Sequence, residues 1–300
     1  MLNNPFAQPG EFYKGNLHTH STNSDGRHPP EDVVAFYRNA GYDFLALTDH
    51  FMEQYGWKIT DTRPFRRDDF TTLIAAELHA PRTRVGELWH IKGIGLPVDF
   101  APSLNGETGP ELAARAAETG AFIGLVHPSW YGLTTEDARQ IPFAHAIEIY
   151  NHASAVGVDR GIDWPFCDLL LNDGWRLHGY ASDDAHKLTH DCLGGWVHVK
   201  ARGLDPDLLL ESLKRGHYYS SQGPEIADIA VADDGEEVRV ACSPATTVVI
   251  SGRGARSNSV RGTDLREAVF PLRRFAGSYF RVTVIDEAGR KAWSNPIWLD

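Results

Sequence analysis

The chain predicts an α/β fold, a closed or distorted barrel of alternating strands and helices, followed by a small all-β domain. Strand and helix signals alternate from Asn16 to Gly216, the pattern of successive βαβ units. Nearly every strand segment in that stretch ends on a histidine or a carboxylate. A closed barrel gathers all its strand ends on one rim, whereas an open sheet concentrates them at a switch point. After Gln222-Gly223-Pro224 the helical signals stop and short strands follow one another, which places domains at 1–224 and 225–300.

The first unit sets the pattern. Asn16 to His20 reads as a strand, and period two puts His18 and His20 on one face. Asp25-Gly26 is turn chemistry, and Pro29-Pro30-Glu31-Asp32 opens a helix with proline early and acids in its first turn. That helix runs to a cap at Gly41. Phe44 to Thr48 is a fully buried strand ending on Asp49-His50. Gln54 to Asp69 is polar and reads as a loop over the strand ends. Leu73–Glu77 and Leu88–Leu96 are the next strands, joined through an Arg82-to-Gly86 turn. Pro110 to Glu118 is an amphipathic helix capped by Gly120. Ala121–Val126 runs into His127-Pro128, Ile147–His152 is a further strand, and Asp163 to Asn172 a helix. Trp175–Ala181 is a weaker strand leading into Ser182-Asp183-Asp184-Ala185-His186. Gly195–Lys200 (strand) and Pro206–Arg215 (helix) complete the alternation, and Tyr218–Gly223 either closes over the site or links the domains. Beyond it, Val238–Val240, Thr247–Ile250 and Tyr279–Ile285 are strands, and Asp286-Glu287-Ala288-Gly289 is a hairpin connection, so 225–300 reads as a small sheet or sandwich.

Composition narrows the function. Twenty-nine basic against forty acidic residues give a net charge of −11, which argues against a nucleic-acid-binding surface. An anionic substrate stays compatible if divalent ions reverse the sign locally. Three cysteines, Cys167, Cys192 and Cys242, are far apart and imply no disulfide framework. The first residues lack an apolar signal core and no apolar run is long enough to span a bilayer, so the expected location is the cytoplasm.

The polar strand-end residues are His18, His20, Asp25, His50, Glu77, His90, His127, Asp184 and His186. A cluster of imidazoles has no donor–acceptor pattern that satisfies itself, and buried uncompensated carboxylates are expensive. Divalent cations resolve both problems. Nitrogen and carboxylate ligands without cysteine suit Zn, Mn or Fe, and nine ligands imply two or three ions. Asp49 is expected to orient a ligand or cap a turn, His79 to be a packed or loop histidine, and Lys92 and Lys187 to be solvated. His152 stands between a proton-donating role and plain packing.

In order along the chain, His-Thr-His at His18, Ser-Asp-Gly at Asp25, Thr-Asp-His at His50, Glu77, His-Ile-x-Gly-x-Gly at His90, His127-Pro128 and Asp184-Ala185-His186 resemble the PHP (polymerase and histidinol phosphatase) superfamily. The resemblance covers Asn16 to His186, and more loosely reaches Pro224. It implies a distorted (β/α)7 barrel with up to three metals at the C-terminal ends of its strands. His18, His20, Glu77 and Asp184 would hold one ion. Glu77 would bridge to a second ion on His90 and His127, and Asp25, His50 and His186 would take a third. The stretch from Trp164 and Asp168 to Asp183-Asp184, with the closing Ala292–Trp298, looks like the CehA/McbA-type branch of carbamate-cleaving hydrolases.

The expected function is hydrolysis of a small phosphate mono- or diester by a metal-bound hydroxide, with Glu77 keeping two ions together. Asp183, Asp49 or His152 would protonate the leaving oxygen. The same centre would serve an amide, ester or carbamate hydrolase. A metal-binding module without catalysis is the third reading, and it sits poorly with so complete a ligand set. The expected partner is a small, anionic substrate, with neither nucleic acid nor membrane.

Overall fold

The structure, a computed structural model, describes residues 3–299. The first half comprises β1 (Glu11–Asn16), α1 (Pro30–Asn39), β2 (Phe44–Leu47), β3 (His50–Phe51), β4 (Thr71–Ala80), β5 (Trp89–Ile94), α2 (Gly109–Glu118), β6 (Phe122–Leu125) and the short α3 (Pro128–Tyr131) and α4 (Thr135–Ala138). The chain continues through β7 (Ala146–Asn151), α5 (His152–Val158), α6 (Trp164–Asn172), β8 (His178–Ser182), β9 (Trp196–Ala201), α7 (Pro206–Lys214) and β10 (Tyr218–Ser221). Six strands finish it: β11 (Ile226–Val231), β12 (Glu237–Gly252), β13 (Ser257–Pro271), β14 (Tyr279–Ile285), β15 (Lys291–Ser294) and β16 (Ile297–Trp298). No helix among the described residues is long and apolar enough to cross a membrane.

Local chemistry explains the main helices. In α1, Pro30 pre-sets the first turn, Glu31 and Asp32 face the positive end of the helix dipole, and Arg38 lies in the last turn. Its apolar side buries Val33, Val34 and Tyr37. In α2 the hydroxyl of Thr108 accepts from the Glu111 amide while the Glu111 carboxylate accepts from the Thr108 amide, a reciprocal cap.

Among the described residues all sixteen strands belong to one mixed sheet, with the main order β11-β12-β14-β15-β10-β9-β1-β2-β4-β5-β6-β7-β8 and β13, β16 and β3 paired alongside β12, β14 and β4. Two expectations change here. Pairs β1–β2, β2–β4, β6–β7 and β7–β8 are parallel, but β5 runs antiparallel to both β4 and β6. The reason is local: β4 and β5 are joined by the Thr83–Glu87 turn, with no helix to carry the chain back for a parallel strand. The strands after residue 225 are antiparallel to one another, yet β15 is hydrogen-bonded to β10, so the sheet runs unbroken across that position. Tyr218–Ser221, read as a closing segment or linker, is a buried strand between β9 and β15.

One apolar cluster, which includes Leu17, Phe44, Leu73, Ile94, Phe122, Tyr180 and Val197, draws on strands from both ends of the β1–β9 region. A second lies within the C-terminal strands around Val240, Val248, Phe270, Phe280 and Val282. The chain just past β8 meets the chain just past β1: the Asp184 amide donates to the His18 carbonyl at 2.8 Å and the His20 amide to the Ala185 carbonyl at 2.9 Å. Residues far apart in sequence thereby share one rim.

His178, at the start of β8, is half-buried, and its buried Nδ1 has no partner. Gly216 passes over its ring with φ +73°, so close that a Cβ there would lie 2.3 Å from an imidazole atom. Burial, then His145 and His217, lower the His178 pKa from 6.5 to about 4. Between those values the unfolded chain binds a proton that the folded chain refuses, so stability is lost as pH falls from about 6.5 to about 4, on the order of 1–3 kcal/mol. Urea midpoints from pH 7 to pH 4 should fall less steeply in His178→Gln than in the wild type.

Candidate metal centre

Six segments deliver side chains to this rim. His18 and His20 lie on the extended chain after β1, with ring centroids 5.2 Å apart. Asp25 sits on the following turn. That turn is tied to Asp49, which accepts from the Ser21 amide (2.7 Å) and from the hydroxyls of Ser21, Ser24 and Thr60. The Asp49 expectation of a turn cap is met by this geometry. His50 comes from β3, Glu77 from β4 and His90 from β5, while His127 joins β6 to α3. Asp184 and His186 follow β8. His127 and Asp184 both have positive φ, +28° and +59°, conformations that non-glycine residues adopt at a cost and that concentrate at functional sites.

Glu77 is the centre of the cluster and is fully buried. Its Oε2 lies 3.2 Å from His18 Nε2, 3.4 Å from His20 Nε2 and 3.1 Å from His50 Nδ1. Its Oε1 lies 2.7 Å from His90 Nδ1 and 3.4 Å from His127 Nε2. Asp184 Oδ1 stands 3.1 Å from His18 Nε2 and 3.0 Å from His20 Nε2. Asp25 faces His50 Nε2 and His186 Nε2, each at 3.4 Å, and His20 Nδ1 at 3.9 Å. Four groups of donor atoms fall within 4.8 Å of one another: His18/His20/Glu77/Asp184, Glu77/His90/His127, His20/Asp25/His50/His186 and His50/Glu77/His79.

The residues fit divalent ions. Buried ring nitrogens His20 Nδ1 and His127 Nδ1 have no hydrogen-bond partner, and the donors are nitrogen and carboxylate oxygen, as hard or borderline cations prefer. The electrostatics point the same way. Burial would by itself lower the imidazole pKa values, but for His50 the Glu77 and Asp25 carboxylates outweigh it and raise the ring to about 11. His18 is raised to about 9, mainly by Asp184 and Glu148 against burial, and His186 to about 8 by Asp25 and Asp184 against burial. Glu77 and Asp184, despite burial, are held well below the carboxylate range by these histidines. At His18, His50 and His186 the carboxylates thus favour a positive charge, which a divalent cation would also supply, whereas burial lowers His20 and His90.

Two expected proton donors are not brought to the cleft. Asp183 is buried, and its oxygens accept from the Tyr37 hydroxyl and the amides of Leu193, Gly194 and Gly195, so it anchors the loop between β8 and β9. His152 opens α5 and turns with it; its Nδ1 meets the Tyr150 hydroxyl at 2.9 Å and its ring lies against Gly194. Neither lines the cleft. Lys92, expected in solvent, is fully buried, with Nζ donating to Thr48 Oγ1 at 3.1 Å. It shares the strand face of His90, two residues away, and its charge is favoured by the Glu77, Glu148 and Asp184 carboxylates against burial. His79 is packed as expected, though its Nε2 lies 2.8 Å from His50 Nδ1.

Glu148 was not singled out by the sequence. Fully buried on β7, it has Oε1 2.8 Å from His18 Nδ1 and bonded by the Ser182 hydroxyl, while Oε2 accepts from the His127 amide and from Asn151 Nδ2, both at 2.9 Å. A carboxylate behind a ligand imidazole fixes its tautomer and orientation. The signal was available: in Ile147-Glu148-Ile149, period two sets the acid opposite two buried isoleucines, and an acid inside a sheet needs a polar destination.

The fold is mixed α/β with one large sheet. Over 94% of both chains it is similar, at a TM-score of 0.56 and 15% identity, to a two-domain protein from Bacteroides vulgatus containing a predicted PHP-like metal-dependent phosphoesterase. Two partial likenesses have lower scores. An amidohydrolase from Chromobacterium violaceum, solved with bound sulfate and no metal, gives a TM-score of 0.42 and 13% identity over 59% of this chain and 89% of that one. A candidate metal-dependent phosphoesterase from Bifidobacterium adolescentis gives 0.46 and 14% over 67% and 96%. No protein-family model and no curated protein matches the chain.

Proposed function

We propose that this chain is a metal-dependent hydrolase of a small phosphate mono- or diester, its site carried by a barrel-type unit over 1–224 beside a β-rich unit over 225–300. One observation supports this above others: donor groups for more than one divalent ion converge on a single carboxylate, Glu77, at the floor of an open cleft of about 260 Å³. No cysteine lines that cleft. The residues that would hold ions are His18, His20, Glu77 and Asp184 for one, Glu77, His90 and His127 for a second, and Asp25, His50 and His186 for a third, with Zn, Mn or Fe suited to the donors. When bound, such ions would lower the pKa of a coordinated water toward about 7 and offset charge growing on phosphoryl oxygens. The chain's own residues do the positioning. Glu77 joins the groups, Glu148 holds the His18 ring, and Asp49 fixes the turn that presents Asp25 to the mouth.

A carbonyl substrate is the second reading, because no lysine or arginine lines the cleft to favour phosphate over a neutral ester or carbamate. A panel of mono-, di- and cyclic phosphoesters and aryl carbamates, run on Mn- and Zn-loaded protein, separates the two. Phosphate release, inhibited competitively by inorganic phosphate, is expected; turnover of carbamates alone selects the second reading, and turnover of nothing removes both.

A further inference from the structure

The cleft is lined by polar residues, Asp25, His50 and His186 among them, and also by the apolar Trp130, Ala153 and Val158. Trp130 belongs to α3, three residues past His127, and its ring stands upright against two imidazoles, with centroids 5.1 Å from His127 at 68° and 5.5 Å from His90 at 69°. It is nevertheless 43% exposed, and Val158 is 55% exposed. The Arg160 guanidinium, just past Val158, donates to the Trp130 carbonyl at 3.3 Å and ties the end of α5 to α3. Single exposed apolar residues need no explanation. A tryptophan and a valine that share a cleft with Asp25, His50, Glu77, His90, His127, Asp184 and His186 do.

We propose that Trp130 and Val158 form an apolar subsite that receives a flat, uncharged substituent of the substrate, an aryl group in chemical terms, beside the group directed to the metals. This rests on reading the rim as a metal centre, but not on the choice between phosphoryl and carbonyl substrates. Three features select the class. The face of an indole ring and a branched aliphatic side chain offer area to a flat apolar group and little to a sugar. The lining has no lysine or arginine to hold a second anionic group, and the chain as a whole is at −11, so nucleotides with additional phosphates and other polyanions are disfavoured. The small volume, about 260 Å³, suits a head group and one ring.

Calorimetric titration of the Mn-loaded protein with two probe pairs tests this without turnover: methyl- against phenylphosphonate, and aceto- against benzohydroxamate. The phenyl member of each pair should bind about tenfold more tightly. Trp130→Ala should bring the pair to within about twofold by weakening only the phenyl member, and Trp130→Phe should retain most of the preference. Equal affinities in the wild type, or a preference that survives in Trp130→Ala, overturns the subsite. If benzohydroxamate is preferred while neither phosphonate binds, the phosphoester reading fails and the subsite stands. If protein shown to carry ions binds none of the four probes, both fall.

Discussion

Glu77→Gln is expected to remove the metal centre while leaving the fold in place. The substituted side chain has the same shape, but its amide nitrogen would have to face imidazoles that now converge on Glu77 within 2.7–3.4 Å. It also deletes the one carboxylate common to three of the donor groups. Retained metal should fall below one ion per chain, and turnover of whichever ester the wild type accepts should fall by about three orders of magnitude or more, the scale set by losing several kcal/mol of charge stabilisation. Near-UV circular dichroism should stay close to that of the wild type stripped of metal. A Glu77→Gln protein that keeps a full complement of ions would show that the cluster binds them without its central carboxylate.

The second large effect is expected at Glu148, which touches no cleft surface. Glu148→Ala leaves the His18 ring, the Ser182 hydroxyl, the His127 amide and Asn151 without their common acceptor, all of them buried. Breaking a buried charged network of this kind costs about 3–5 kcal/mol, visible as a lower urea midpoint. Glu148→Gln keeps the volume and isolates the effect on His18. Metal affinity should drop about 10–100-fold, as for other lost partners of ligand histidines. A Glu148→Gln protein with unchanged affinity and lowered stability would assign the residue to packing alone.

Much of the rim was legible because its residues sit where period two and strand ends put them. His18 and His20 share a face, Glu77 ends a buried apolar strand, and Asp184 rather than Asp183 joins the cluster, as the spacing to His186 suggests. The sequence was less informative where the partner, not the pattern, decides. Lys92 looks like any surface lysine until β5 is seen to be a central strand between β4 and β6, where period two sets it on the face of His90 and the structure buries it. Asp183 looks like a proton donor until the loop amides of Leu193 to Gly195 claim it. The direction of β5 and the join between β10 and β15 depend on contacts between segments distant in sequence. A continuous sheet across residue 224 leaves no trace in composition, since the same short strands would serve a detached sandwich equally well.

The central claim is that the rim around Glu77 is a centre for more than one divalent ion, and the number of ions per chain tests it most directly. Mass-spectrometric metal analysis after reconstitution with Mn or Zn and removal of free metal should find two to three ions per wild-type chain and fewer than one in Glu77→Gln. Fewer than one ion per wild-type chain under the same treatment would contradict it.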